Sequence, residues 1–261
     1  MIDHDIFIYL FGFLGLLLGS FANVIILRLP AGENIAFPRS RCLSCGTMIP
    51  WYHNIPVISY LILRGRCHQC GQSFSWRYPL VELIMGALFT ILYIYVGPSW
   101  LLLEYSYFIF ALVVCSFIDI DHYILPDVFT LSGIVIGLIG AALNPERSFM
   151  SSVLGVALGG GVLYLLALVY FWWSGQEGMG GGDIKLLAWI GAMIGFKGLP
   201  FVLLVSSLTG LIVGLIRSRG TGTGLKTVIP FGPFLALAAI IYILGGSGLG
   251  IEFFSFIYPD L

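Results

Sequence analysis

The stretch from Ile6 to Leu27, "IFIYLFGFLGLLLGSFANVIIL", runs for 22 residues without one charged side chain. A helix needs about 20 apolar residues to cross the hydrocarbon core of a bilayer. No basic segment precedes the run and no small-residue cleavage site follows it, so it reads as a retained first span, not a removable signal. Seven further apolar runs lie near 79–96, 100–118, 128–144, 152–173, 184–197, 200–216 and 231–247. The whole chain of 261 residues is 59% hydrophobic and 10% charged. A soluble domain is near half apolar and about a quarter charged. The expected fold is an all-α integral membrane protein of about eight transmembrane helices. Small residues recur at helical spacing, as at Gly133 and Gly137 or Gly155 and Gly159, and allow close helix packing.

A formal net charge of −1 and the lack of a basic run argue against a nucleic-acid partner. The basic residues do set an orientation. With the N-terminus outside, the inner loops hold Arg28, Arg39, Arg41, Arg64, Arg66, Arg77, Lys185, Arg217, Arg219 and Lys226. Arg147 and Lys197 alone fall outside, which fits the positive-inside rule. The acidic ends (Asp3, Asp5, Glu252, Asp260) are then external. Three parts follow: a first span at 1–27, a cytoplasmic loop at 28–78 and a helical bundle at 79–261.

The loop contains "CLSCG" and "CHQCG", with Cys42, Cys45, Cys67 and Cys70. Two CxxC turns, each followed by glycine, have zinc-knuckle spacing: each turn puts two thiolates on one side of a metal. A reducing cytoplasm argues against two disulfides. Four cysteines leave no open coordination position, so the expected Zn²⁺ is structural. It would staple a loop too short for a core of its own. Four free thiols or disulfides are the other readings. His53 and His68 read as surface residues, and Cys115 as a small buried hydrophobe.

Carboxylates near membrane depth default to a functional hypothesis. The candidates are Glu82, Glu104, Asp119, Asp121, Asp127 and Asp183. Asp183 follows the glycine run of "GMGGGDIK" and reads either as a helix N-cap or as a catalytic group. Asp127 after "LP" is also a candidate N-cap. Asp119 has no such excuse, because it falls at a helix C-terminus, where the dipole disfavours an anion. Two aspartates on one membrane face suggest an aspartyl dyad. One carboxylate draws a proton from water and the other, protonated, bonds the substrate carbonyl. The helix ends predict that Asp183 is the more acidic and that Asp119 holds the shared proton. Glycines before Asp183 give an extended peptide room to approach, although a plain interhelical loop also favours glycine.

Together these motifs resemble the type IV prepilin peptidases, the bacterial GxGD intramembrane aspartyl proteases. GxGD is Gly180, Gly181, Gly182 and Asp183, followed by Ile184 and Lys185. "GSFANVIILRLP", "RSRCLSCG", "WYHNIPVISYLILRGRCHQCG", "RYPLVEL", "FIDIDHYILPD" and "PFGPFLALA" complete the set in order, from Gly19 to Ala238. The resemblance implies a bacterial inner-membrane enzyme. Its substrates would be prepilins and pseudopilins of type IV pili or type II secretion, cut at the cytoplasmic face. It also implies N-methylation of the new N-terminus with S-adenosylmethionine. The matching catalytic pair is Asp119 and Asp183, with Gly180, Gly182, Asp121, Asp127 and Lys185 in support. Glu82 and the cysteine loop are implied in methylation; Glu82 reads equally as a buried carboxyl bonded to a neighbouring helix. Leaders of such substrates are basic, so Asp121, Asp127 and Glu177 are candidates to recognise them. The basic loop suits anionic lipid headgroups.

Two rival readings remain. One is a proton-coupled transporter with the short sixth helix as a broken span. The other is a zinc-module scaffold without chemistry.

Overall fold

The computed structural model describes residues 2–176, 178–221 and 229–245. Glu177, Lys226, Glu252 and Asp260, invoked above, lie outside the described residues, as do the last two positions of the eighth predicted span. Secondary structure among the described residues is helical, with two isolated β-bridges, Arg41 with Met48 and Arg66 with Ser73. The α-helices are α1 (Ile2–Arg28), α2 (Ile58–Ile62), α3 (Arg77–Val96), α4 (Trp100–His122), α5 (Asp127–Leu143), α6 (Phe149–Ser174), α7 (Gly181–Ile194), α8 (Leu199–Thr221) and α9 (Gly232–Leu244).

A helix stands at each of the eight predicted positions. Five helical segments are long and apolar enough to cross a membrane: Asp5–Arg28, Arg77–Val96, Trp100–His122, Phe149–Ser174 and Phe196–Ser218. The other three are shorter, at 17 residues for α5, 14 for α7 and 13 for α9. At 1.5 Å per residue α7 reaches about 21 Å, against about 30 Å of hydrocarbon. The chain is a multi-pass membrane protein in which some helices fall short of a full crossing.

Residues 1–110 and 111–261 form two compact units. In the first, α1 lies along α3 at glycine-mediated contact. A Cβ on Gly15 would stand 2.6 Å from the Met85 carbonyl oxygen, and one on Gly19 would stand 2.6 Å from the Glu82 Cα. These two glycines are the small-xxx-small pattern that lets helix backbones touch in lipid. The loop after α1 carries the two cysteine turns, a 3-10 turn at Trp51–Asn54 and α2.

The second unit is built around α7. Its residues from Leu186 to Met193 are all buried, although the helix is short. It packs against α6, α5 and α9. Gly155 of α6 and Gly191 of α7 touch backbone to backbone, since a Cβ on either would stand 2.1 Å from the other's carbonyl oxygen. Gly133 receives the Trp189 ring, and Gly137 faces Ala192. The glycine pairs singled out in the sequence therefore serve packing. Gly195, at φ 78°, turns the chain out of the last turn of α7. Arg147 donates to the Ala192 carbonyl there, satisfying an oxygen left free at a helix end. A helix so enclosed can be short without exposing its ends to lipid, and it holds its first turn at a fixed place.

Candidate active site

Asp119 lies in the last turn of α4 and is only 5% exposed. The helix closes with the Tyr123 amide donating to the Asp119 carbonyl at 2.9 Å, and Tyr123 adopts φ 56°. This reversal sends Ile124, Leu125 and Pro126 back towards α5. The expected conflict between a buried anion and its own helix C-terminus is real, and another helix relieves it. The amide of Gly232, the first residue of α9, donates to Asp119 Oδ2 at 3.0 Å. A helix N-terminus carries partial positive charge and free amides, and both favour a carboxylate. Sequence reasoning missed this partner, whose one signal was the pair of prolines flanking "FG" at 230–233.

Asp183 is half-buried in the first turn of α7. The helix begins at Gly181 and its cap is Gly180, in extended conformation and without a side-chain capping bond. The N-cap reading of Asp183 is thus corrected: the residue sits three positions inside, where its side chain is released from capping. The same correction applies to Asp127. It is the first residue of α5, with Pro126 as its cap, and its carboxylate is bound by Lys185 Nζ at 2.7 and 3.0 Å.

Asp119 and Asp183 line one open cavity of about 230 Å³, together with Asp127, Lys185 and the backbone of Gly180 to Gly182. The glycines play different parts. A Cβ on Gly182 would stand 3.0 Å from the Leu125 Cβ, so that residue must be small for α7 to seat on Leu125. Gly181 faces open space, and Gly180 lies near Asp183 Oδ2. Asp121 is exposed and does not line the cavity.

Glu82 belongs to the first unit and to a different cavity, of about 560 Å³. It is 8% exposed and accepts from the Val57 amide at 2.7 Å. Val57 adopts φ 60°, ψ −49°, a conformation in which a β-branched residue is an outlier. Asn23 and Arg28, both buried, line the same space.

The cysteine turns are near copies. The Cys42 amide donates to Thr47 and the Gly46 amide to Cys42; the Cys67 amide donates to Gln72 and the Gly71 amide to Cys67. Gly46 and Gly71 take positive φ, at 73° and 69°, which explains the glycine after each CxxC. The four sulfurs lie within 4.8 Å of one another, with Cys42 to Cys70 at 3.8 Å and Cys45 to Cys67 at 4.0 Å. These are not disulfides, and all four are free thiols. A metal–sulfur bond of about 2.3 Å gives a tetrahedron with edges of roughly 3.8 Å, so the donor set fits a metal ion. Hydrogen bonding to Thr47 brings Cys45 down to about 6, and the amides of Cys70 and Gln69 lower Cys67. The Gln72 amide favours a Cys70 thiolate, but burial and the neighbouring thiols outweigh it and push Cys70 up to about 11. Four sulfurs this close suit a shared cation. The rings of His53 and His68 meet at a tilt of 48°, with 5.0 Å between centroids.

Fold and site together define a multi-pass membrane protein with paired carboxylates at helix ends and a separate four-cysteine module. Residues 13–96 match the bacterial peptidase A24 N-terminal domain, and residues 106–215 match the type IV leader peptidase family. The chain is 39% identical to a prepilin leader peptidase/N-methyltransferase of Stutzerimonas stutzeri, over 93% of this chain and 92% of that one. Proteins of the same name from Legionella pneumophila and Pseudomonas aeruginosa are 37% and 38% identical, covering 95% and 89% of those chains and 95% and 90% of this one. No solved structure matches significantly. The chain belongs to the type IV leader peptidase family.

Proposed function

We propose that this protein is a membrane-embedded aspartyl endopeptidase that removes the leader of type IV prepilins and pseudopilins and then N-methylates the new N-terminus. The observation that carries the peptidase reading is the shared cavity of Asp119 and Asp183. Two carboxyls that meet in one cavity can share a proton, so that one activates water while the other polarises the amide carbonyl. The excess of Lys and Arg in one set of loops supports a reading with this cavity at the cytoplasmic face of the inner membrane and the N-terminus outside. Asp127 is occupied by Lys185, so it meets a cationic leader only by exchanging partners.

The four cysteines would hold Zn²⁺, and four thiolates would leave it no vacancy for substrate. Exposed Trp51, Trp76, Arg39 and Arg41 on the same loop suit a seat on lipid headgroups. The 560 Å³ cavity is within the range of cofactor sites. Its buried Glu82, Asn23 and Arg28 offer both charge signs to a zwitterionic ligand. When bound there, S-adenosylmethionine supplies an electrophilic methyl group. The transporter reading has no observation in its favour: Asp119 and Asp183 of the second unit open into one cavity, and the relatives carry peptidase names.

The test is cleavage of a prepilin by the purified full chain. Asp119→Asn and Asp183→Asn must each abolish it while keeping the metal and the melting transition. Full cleavage by either variant ends the proposal.

A further inference from the structure

We infer that the Gly232 amide fixes the division of labour in the pair, making Asp119 the general base and Asp183 the general acid. The inference rests on the peptidase reading above and deepens it, and it reverses the order expected from each aspartate's own helix.

The first turn of α9 has a single amide to spare. Pro233 has no N–H, and the amides of Phe234 and Leu235 are taken by the Phe231 carbonyl at 3.1 and 3.2 Å. The Gly232 amide remains, and it points at Asp119 Oδ2 at 3.0 Å in a buried setting. A hydrogen bond donated to a carboxyl oxygen favours the ionised form. Glycine is needed for this approach. A Cβ on residue 232 would lie 2.7 Å from that oxygen and 3.1 Å from Leu125 Cδ2.

Among the described residues Asp183 has no comparable donor. Its own amide is engaged with the Gly180 carbonyl at 3.2 Å, and its helix start provides no side-chain capping bond. Its carboxyl accepts no hydrogen bond among the described residues, so it is the member left to carry a proton. Other titratable groups nearby are few. Cys115 and Tyr123 flank Asp119 on its own chain segment, Asp127 comes from α5, and Lys185 comes from α7, already paired with Asp127. The first turn of α9 adds none.

The steps then balance. The Asp119 carboxylate takes a proton from water as the water oxygen bonds the scissile carbonyl carbon. Asp183 gives its proton to the carbonyl oxygen, leaving a gem-diol. Asp119, now protonated, gives its proton to the amide nitrogen as the C–N bond breaks, and Asp183 recovers the hydroxyl proton. One water and one amide become a carboxylic acid and an amine, and both aspartates return to their starting forms.

Infrared difference spectra of the full chain in lipid nanodiscs, titrated in pH without substrate, read the proton directly. On lowering the pH, the carbonyl stretch of the remaining protonated carboxyl should appear at higher pH in Asp119→Asn, where Asp183 is left, than in Asp183→Asn, where Asp119 is left. The reverse order, or the same pH in both variants, overturns the assignment. Gly232→Ala supplies a kinetic arm on prepilin cleavage. The acid limb of its kcat/KM profile should move up by about one pH unit, with kcat down about tenfold and KM within about twofold. An unmoved acid limb overturns the role of Gly232, and if this variant does not fold the infrared pair decides alone. Wild-type protein that cleaves no prepilin would sink the peptidase reading, while the infrared result would still locate the proton.

Discussion

Oδ2 of Asp119 accepts a hydrogen bond from the Gly232 amide across a separation of 113 residues. Leu125 lies beside this bond and touches the position of Gly182 as well. One buried leucine thus spaces the starts of α7 and α9 around the aspartates. Leu125→Ala should lower stability by about 2–5 kcal/mol, the usual range for a buried leucine truncation. It should also slow prepilin cleavage more than it weakens substrate binding. Denaturant unfolding and the separate values of kcat and KM check both.

The Lys185–Asp127 pair is half exposed. Pairs of this kind contribute less than about 1 kcal/mol. Asp127→Asn should therefore leave the melting temperature nearly unchanged. If the pair guards the cavity mouth, the same variant should raise KM for a prepilin with a basic leader, and less so for a leader stripped of positive charge. Steady-state cleavage of the two peptides makes the comparison.

The cysteine cluster should bind one metal ion per chain, and Cys42→Ser should lose it. Zinc is the expected metal, measured by elemental analysis of the purified chain. Metal removal should unfold the loop of the first unit, seen as faster proteolysis near residues 40–75. Peptide hydrolysis should survive better than methylation, because the aspartates lie in the second unit.

Glu82→Gln keeps an acceptor for the Val57 amide and removes the charge. It should preserve cleavage and lower methylation of a pre-cleaved pilin. It should also weaken S-adenosylmethionine binding, or binding of the pilin N-terminus, in equilibrium dialysis. Equal loss of cleavage and methylation would argue that Glu82 only packs.

Local patterns carried much of this. The apolar runs gave helix positions because lipid demands length and apolarity in one continuous segment. The cysteines were legible because metal geometry imposes a short, fixed spacing on each turn. Asp119 stood out because its own helix end opposes it. What stayed hidden depends on contacts between distant segments. Neither the Gly232 amide nor the Lys185–Asp127 pair leaves a periodic trace. The helix starts at Gly181 and Asp127 shifted both aspartates from cap to first turn, since caps are decided by backbone geometry over one or two residues. Burial of α7 on every side could not be inferred from its length alone.

The shortness of α7 has a physical consequence for the site at its start. A rod of about 21 Å, walled in by α5, α6 and α9, is matched by protein and not by lipid, so the open cavity at its first turn can admit water without thinning the bilayer. Hydrolysis at the proposed pair would then take place in a wet recess of the bundle, and an incoming peptide would need to leave the fatty-acyl layer only partway to be cut.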